Sequence, residues 1–271
     1  MGIVVKRNII KQILPPILLL LVKKIINRNS SNFERGFNSW SEASANISSY
    51  NTSEVFDKTL NASRMVRDGK VAYERDSFLF NKVQYDFKLL SSLLLIANIQ
   101  NRLNVVDFGG ALGTSFKQNK KYLDCLQIPK KWAVIEQLEF VRIGKDEFQT
   151  DTLVFFESLS QIKFDVDVVL FGSSLCYLEN AYEILDEIKT LLPKFILIVR
   201  TPFSDSVDDD IWIQNVPKHI YDASYPVWIF SESKLLAYLA DNYALFEEWD
   251  DDLQAYEEIH TKGFLLRKKS N

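Results

Sequence analysis

The chain has 271 residues, 47% of them hydrophobic and 25% charged, which suits one large α/β domain or one domain with an added segment. A net charge of −4 supplies no basic field to hold a nucleic acid by counterion release, so nucleic acid is not an expected partner. The two cysteines, Cys125 and Cys176, match no zinc-ligand spacing, and a reducing, cytoplasmic compartment is the simplest reading.

Residues 9–26 read IIKQILPPILLLLVKKII. The apolar run Ile13 to Val22 contains Pro15 and Pro16 and falls short of the roughly 20 residues that cross a bilayer. Lys23 and Lys24 follow it without a small-residue cleavage site, so no secretory leader is expected. Proline is tolerated in a first helical turn, which predicts a helix from Pro16 to about Asn27. Lys6, Arg7, Lys11, Lys23, Lys24 and Arg28 flank its apolar part. Two readings stand for residues 1–28: a peripheral anchor at the inner face of an anionic membrane, or a helix packed on the domain or on a partner chain. The Asn-x-Ser/Thr triplets at Asn29, Asn46, Asn51 and Asn61 are expected by chance in so Asn- and Ser-rich a stretch.

Residues 29–81 read as a linker and helical cap, with a short helix near Glu54 to Leu60. From residue 82 to 271 one domain is expected. Helical spacing of apolar residues marks 82–99, 115–126, 138–147, 179–192 and 233–241. Apolar runs of strand length mark 103–108, 132–136, 153–156, 165–172, 194–200, 244–249 and 263–268. The alternation predicts an α/β fold: a mostly parallel seven-stranded sheet with helices on both faces. The last two strands lack a helix-length spacer and predict an antiparallel edge hairpin. Residues 201–230 read as a loop-rich insertion.

The segment Val105-Val106-Asp107-Phe108-Gly109-Gly110-Ala111-Leu112-Gly113 carries the most chemistry. An apolar strand ends in an acid, then a Gly-rich turn opens a helix whose first N–H groups are free for a ligand. Asp107 at that strand end suits a cationic amino-acid moiety, directly or through water, and would repel a pyrophosphate. Glu136 ends the next apolar strand, where a carboxylate can accept both hydroxyls of a ribose. The two acids and the glycines together predict a nucleotide-like cofactor.

In order along the chain, VDFGGALGTS, WAVIEQ, DVVLFGSSLCYL, ILIVRTP and IYDASYPVWIFS resemble a family of class I S-adenosylmethionine (SAM)-dependent methyltransferases. Its members are often encoded among genes for bacterial surface-polysaccharide synthesis. The resemblance covers roughly residues 36 to 250 and implies the Rossmann-like methyltransferase fold, SAM as cofactor, and methyl transfer to a small or glycan-type acceptor, without naming that acceptor. It assigns Asp107, Gly109, Gly110 and Gly113 to the first SAM motif, Glu136 to the ribose, and Ser173, Ser174 and Leu175 to the turn beside adenine and the methyl group. Ala111 departs from the class pattern, which has glycine there; alanine is tolerated unless the backbone needs positive φ.

Residues 201–230 begin at the carboxyl edge of the sheet and are dense in Trp, Tyr, Gln and Asn, which suits a hydroxylated acceptor. Within them His219 is the candidate base, although a packing role is the commoner fate of a lone histidine. Tyr225, and Arg200 just before the stretch, are candidates to position the acceptor, Arg200 alternatively pairing with an acid. Glu74, Arg75 and Asp76 precede the core and read as structural salt-bridge residues. The runs Asp208–Asp210 and Asp250–Asp252 read as solvated loop charges, so no metal is expected, and His260 receives no role.

Two rivals remain. An NAD(P)-dependent sugar oxidoreductase or epimerase would share the α/β order, but no tyrosine here has a lysine four residues on. A catalytically inactive scaffold of the same fold would share everything except turnover.

Overall fold

A computed structural model describes residues 33–47, 52–75, 77–216, 223–251 and 259–270. The helix expected at Pro16 to Asn27, and with it the membrane or partner contact, lies outside the described residues, as do Asp76, His219 and Asp252.

The centre of the molecule is a parallel sheet in the order β6 (Leu153–Phe156), β5 (Lys130–Ile135), β4 (Leu103–Phe108), β7 (Val168–Gly172), β8 (Phe195–Ser204). These strands are near-continuous apolar runs because both sheet faces are covered. Val168, Val169, Leu170 and Phe171 are wholly buried, and so are Phe195 through Val199. Beyond β8 the chain closes with β12 (His260–Lys268), antiparallel to β8, and β11 (Tyr243–Asp250), antiparallel to β12. This is the expected seven-stranded sheet with its edge hairpin.

One face is covered by α3 (Phe87–Gln100) and α4 (Thr114–Leu123), which bury Leu89, Leu93, Ile96 and Phe116 against Val105, Trp132 and Leu197. The α3 helix starts where Asp86 accepts the N–H groups of Lys88 and Leu89, and stops where Asn101 turns left-handed. On the same side α5 (Leu138–Ile143) runs on into a single π turn, Gly144–Phe148. The other face takes α6 (Ala181–Thr190) and α7 (Glu232–Leu239) through Leu185, Ile188, Leu235 and Leu239. Burying each such side chain is worth about 1.5–3 kcal/mol, so both layers hold the sheet firmly.

Two expectations need correction. Residues 201–230 are not loop-rich: β8 extends to Ser204, and β9 (Asp210–Asn215) and β10 (Ser224–Ser231) pair antiparallel over six residues. Their sequences, DIWIQN and SYPVWIFS, are β-branched and aromatic, which suits a half-buried pleat despite Pro226. That proline is tolerated because β10 meets β8 only at Phe230 and Ser231, which frees its outer edge at 226. The described part of residues 29–81, expected as a linker with a helical cap, carries regular structure from its start. β1 (Phe33–Phe37) pairs with β9, and α1 (Trp40–Asn46) packs Ala43 against Ile211 and Ile213. Then α2 (Thr52–Arg67), more than twice the expected length, lays Leu60 on the core. Here local composition is outvoted by pairing with a strand some 180 residues away.

A small hairpin, β2 (Tyr73–Arg75) and β3 (Phe78–Phe80), completes a cap over the start of α4. Glu147, in the π turn, clamps this cap: it accepts from Arg64 Nε at 2.9 Å and from Arg67 Nη1 at 2.6 Å. Edge-on packing of Phe56 against Phe140 at 4.9 Å adds an apolar contact. No helix among the described residues is long and apolar enough to cross a membrane.

Candidate active site

The carboxyl ends of β4, β5 and β7 meet at one edge beside the middle of β8, and the glycine turn sits on it. Asp107 lies beneath this turn. It is 1% exposed; Oδ2 accepts the Trp132 indole N–H at 3.0 Å, and Oδ1 has no hydrogen-bond partner among the described residues. Burial pushes its pKa up to about 7. The Trp132 hydrogen bond opposes the rise, the Glu136 charge adds to it and Arg200 opposes it. A side chain on residue 110 would strike the Asp107 carboxylate at 2.6 Å, which is why glycine stands there. The acid is therefore sealed under the loop, where sequence alone allowed it to face a ligand directly.

Glu136, one residue past β5, bends back onto the same turn. Its Oε1 accepts the Ala111 N–H at 3.1 Å and its Oε2 accepts the Gln137 N–H at 2.9 Å. Burial raises its pKa, and the two backbone donors pull it down. Each oxygen keeps a lone pair for a further donor. Gly109 and Gly113 have φ of +72° and +84°. Ala111 has φ +49°, so the condition under which alanine is costly at this position is met.

The turn after β7 faces this loop. Ser174 Oγ donates to the Phe108 carbonyl, and Ser173 has φ +71°. Leu175 is wholly buried in the short 3₁₀ turn Leu175–Tyr177, and so is Cys176. Arg200, in the middle of β8 just past the level where β7 ends, and at φ +52°, reaches across: Nε donates to Ser173 Oγ at 2.8 Å and Nη2 to the Gly172 carbonyl at 3.4 Å. Its guanidinium bonds only neutral oxygens among the described residues, and its backbone N–H donates to Asp251 Oδ2 at 2.9 Å. Sharply turned non-glycine backbone at 111, 173 and 200 clusters at this edge, as strain does where a site is pre-shaped.

Beside the edge, Tyr177 donates from its hydroxyl to Gln214 Oε1 at 2.8 Å and packs edge-on against Tyr225 at 5.3 Å. Gln214 and Tyr225 face each other in the β9–β10 ladder. Thus Asp107, Gly109, Gly110, Ala111, Gly113, Glu136, Ser173, Ser174 and Arg200 form one edge, and Tyr225 joins it through Tyr177. Tyr177, Gln214 and Asp251 were missed from sequence. Tyr177 is the next-to-last residue of the motif DVVLFGSSLCYL, a usable signal; Asp251 offers none.

Glu74 is 2% exposed and accepts from Thr114 Oγ1 at the start of α4, so it ties the cap to the glycine-turn helix. The Asp208–Asp210 run is not merely solvated. Asp209 accepts from Tyr182 at 2.9 Å, from the Ser231 N–H at 2.8 Å and from Lys234 at 2.9 Å, which pins β9 to β10 and α7. Among the described residues no group of three or more His, Cys, Asp or Glu is arranged to hold a metal.

The strand order and edge hairpin define a Rossmann-like methyltransferase fold. The N-terminal domain of EvdMO1, solved in the presence of SAH and D-fucose, matches 81% of this chain and 97% of its own at 11% identity and TM-score 0.50. A 1,6-didemethyltoxoflavin-N1-methyltransferase from Burkholderia thailandensis, with bound 1,6-didemethyltoxoflavin and S-adenosylhomocysteine, matches 82% and 92% at 14% identity and TM-score 0.44. SAM-bound CalS10, an amino pentose methyltransferase from Micromonospora echinaspora, matches 69% and 92% at 8% identity and TM-score 0.44. No family model matches the chain, and no curated protein matches it in sequence.

Proposed function

We propose that the chain is a SAM-dependent methyltransferase acting on a hydroxyl of a small or glycan-type acceptor in surface-polysaccharide synthesis. One observation carries the donor assignment: two carboxylates, Asp107 and Glu136, flank a glycine turn at the carboxyl edge of a methyltransferase-type sheet. The donor set fits SAM. Glu136 has lone pairs for ribose hydroxyls, and the orphaned Oδ1 of Asp107 supplies a negative field beneath the turn for an amino group. Two acids disfavour a pyrophosphate, which argues against NAD(P).

When bound, SAM supplies a methyl group already activated on its sulfonium. The protein's work is then alignment. Ser173 and Ser174 shape the turn beside the transfer point, and Arg200 fixes Ser173. Tyr177, Gln214 and Tyr225 present rings and polar groups suited to a hydroxylated acceptor. His219, in the segment joining β9 to β10, is the proposed base for the acceptor hydroxyl. The basic and apolar residues 9–26 would bring the enzyme to a membrane-bound acceptor or to a partner chain.

Isothermal titration with SAM and with NADH tests the donor. Binding of SAM alone is expected. Binding of NADH without SAM would overturn the reading, and binding of neither would leave a scaffold. Labelled methyl transfer to surface glycans, compared between cells with and without the gene, tests the acceptor; equal labelling in both rules out the glycan.

A further inference from the structure

A second feature lies at the opposite edge of the sheet, where β8 begins and β12 ends. A cleft of about 300 Å³ is lined there by Lys194, Arg267, Lys268 and Lys269, with Gln100 and Ser270 as neutral donors and Phe195 among its walls. Along β8, Lys194 and Arg200 are six residues apart, roughly 20 Å at strand rise, so the cleft is separate from the candidate active site.

Four cations gather here in a chain whose net charge is −4, so the patch does not follow from overall composition. None of the four makes an ion pair with a described carboxylate, whereas Lys120, Lys189 and Lys234 elsewhere each have one. No acid is among the lining residues. The arrangement is held by backbone: the Lys268 N–H donates to the Lys194 carbonyl at 2.9 Å, and the Lys269 N–H to the Asn242 carbonyl at 2.9 Å. The Arg267 guanidinium lies 6.0 Å from the centre of the buried Phe195 ring, which limits its freedom. A guanidinium fork with several ammonium groups matches phosphate oxygens better than a single carboxylate. The volume has room for a phosphate group and a small attached moiety.

We infer that this cleft is a phosphate-binding site, distinct from the candidate active site, that takes a phosphate or diphosphate ester. The same chemistry is offered by a soluble phosphate ester and by an anionic lipid headgroup. The test is titration of the full chain with inorganic diphosphate, in parallel with co-sedimentation on phosphatidylcholine vesicles containing phosphatidylglycerol. Both are repeated on Lys194→Gln/Arg267→Gln and on the single variant Lys269→Gln, whose side chain is exposed. Melting curves confirm that each variant is folded. At least a ten-fold loss of diphosphate affinity in the double variant, and a smaller loss in Lys269→Gln, is expected. Loss on diphosphate alone assigns a soluble ester; loss on vesicles assigns a headgroup. Absence of binding to both by the wild type, or wild-type binding to both by the folded variants, overturns the site. The comparison between variants also removes any contribution of the basic residues before position 29.

Discussion

Glu136 and Ala111 are joined across the glycine turn: the carboxylate accepts the Ala111 N–H at 3.1 Å while Ala111 is held at φ +49°. An L-residue in that conformation costs roughly 1–2 kcal/mol, which glycine avoids. Ala111→Gly is therefore expected to stabilise the protein by about 1 kcal/mol, a rise of roughly 2–4 °C in melting temperature. SAM affinity is expected to hold or improve. Gly109→Ala should do the reverse, because φ is +72° and the new Cβ would lie 2.6 Å from Ser174 Cβ. Its cost is about 1–3 kcal/mol. Thermal melts of both variants check the pair; a lower melting temperature for Ala111→Gly would count against the strain.

Asp107 makes stability and cofactor binding depend on pH in opposite directions. Its folded pKa is raised to about 7 from an ordinary aspartate value of 3.8. The folded state thus keeps its proton while the unfolded state loses it. The group's contribution is fully present below about pH 4 and is lost as pH rises through 7. Asp107→Asn should flatten that part of the melting-temperature profile between about pH 4 and 7. In the wild type, SAM affinity should increase as pH rises through 7 and the carboxylate ionises. The variant should bind weakly throughout. A wild-type affinity that is level across this range would remove Asp107 from the proposed amino-group site.

Arg200 tunes that titration. Its charge holds the Asp107 pKa down, and Nε bonds Ser173 Oγ. Arg200→Gln is expected to move the midpoint of the SAM-affinity profile to higher pH, whereas Arg200→Lys should keep the midpoint and lose the bond to Ser173. A purely structural Arg200 would lower the melting temperature in both variants and leave the midpoint where it was.

The cap is held electrostatically at one point. Arg64 and Arg67 keep the Glu147 carboxyl at about 2, far below its usual range. A depressed acid contributes stability above its unfolded pKa and loses it as pH falls toward 2. Since the groups are partly exposed, Glu147→Gln should lower the melting temperature only slightly. Limited proteolysis is the sharper readout: cleavage near residues 67–71 should accelerate in the variant, and also in the wild type at 0.5 M salt. An unchanged cleavage pattern would mean that Phe56 and Leu60 hold the cap alone.

The parallel strands were legible because they are apolar runs with both faces covered, and the alternation with helices left one topology. The turn from Asp107 to Gly113 was legible because it combines an acid with glycines at a strand end. The conformation of Ala111 was not, since φ belongs to the fold and only the departure from glycine pointed to it. β1 and β9 were illegible for a different reason: they are short, half polar and stabilised by each other at long range. Asp209 and Asp251 resembled solvent-facing loop charges because nothing local distinguishes an acid that caps a strand from one that faces water. The partnership of Tyr177 with Gln214 required the ribbon to be placed first.

That ribbon, β1–β9–β10, is joined to β8 by a ladder of only two residues, Phe230 and Ser231, and Asp209 holds the start of β9 to Ser231. The glycine turn and its two acids are built from β4, β5 and the residues that follow them. The two halves of the proposed reaction thus reside on pieces joined by that short ladder, by the Tyr177–Gln214 hydrogen bond and by a shared apolar core. Exchanging residues 205–229 between homologous chains is a way to change what is methylated while leaving the means of methylation in place.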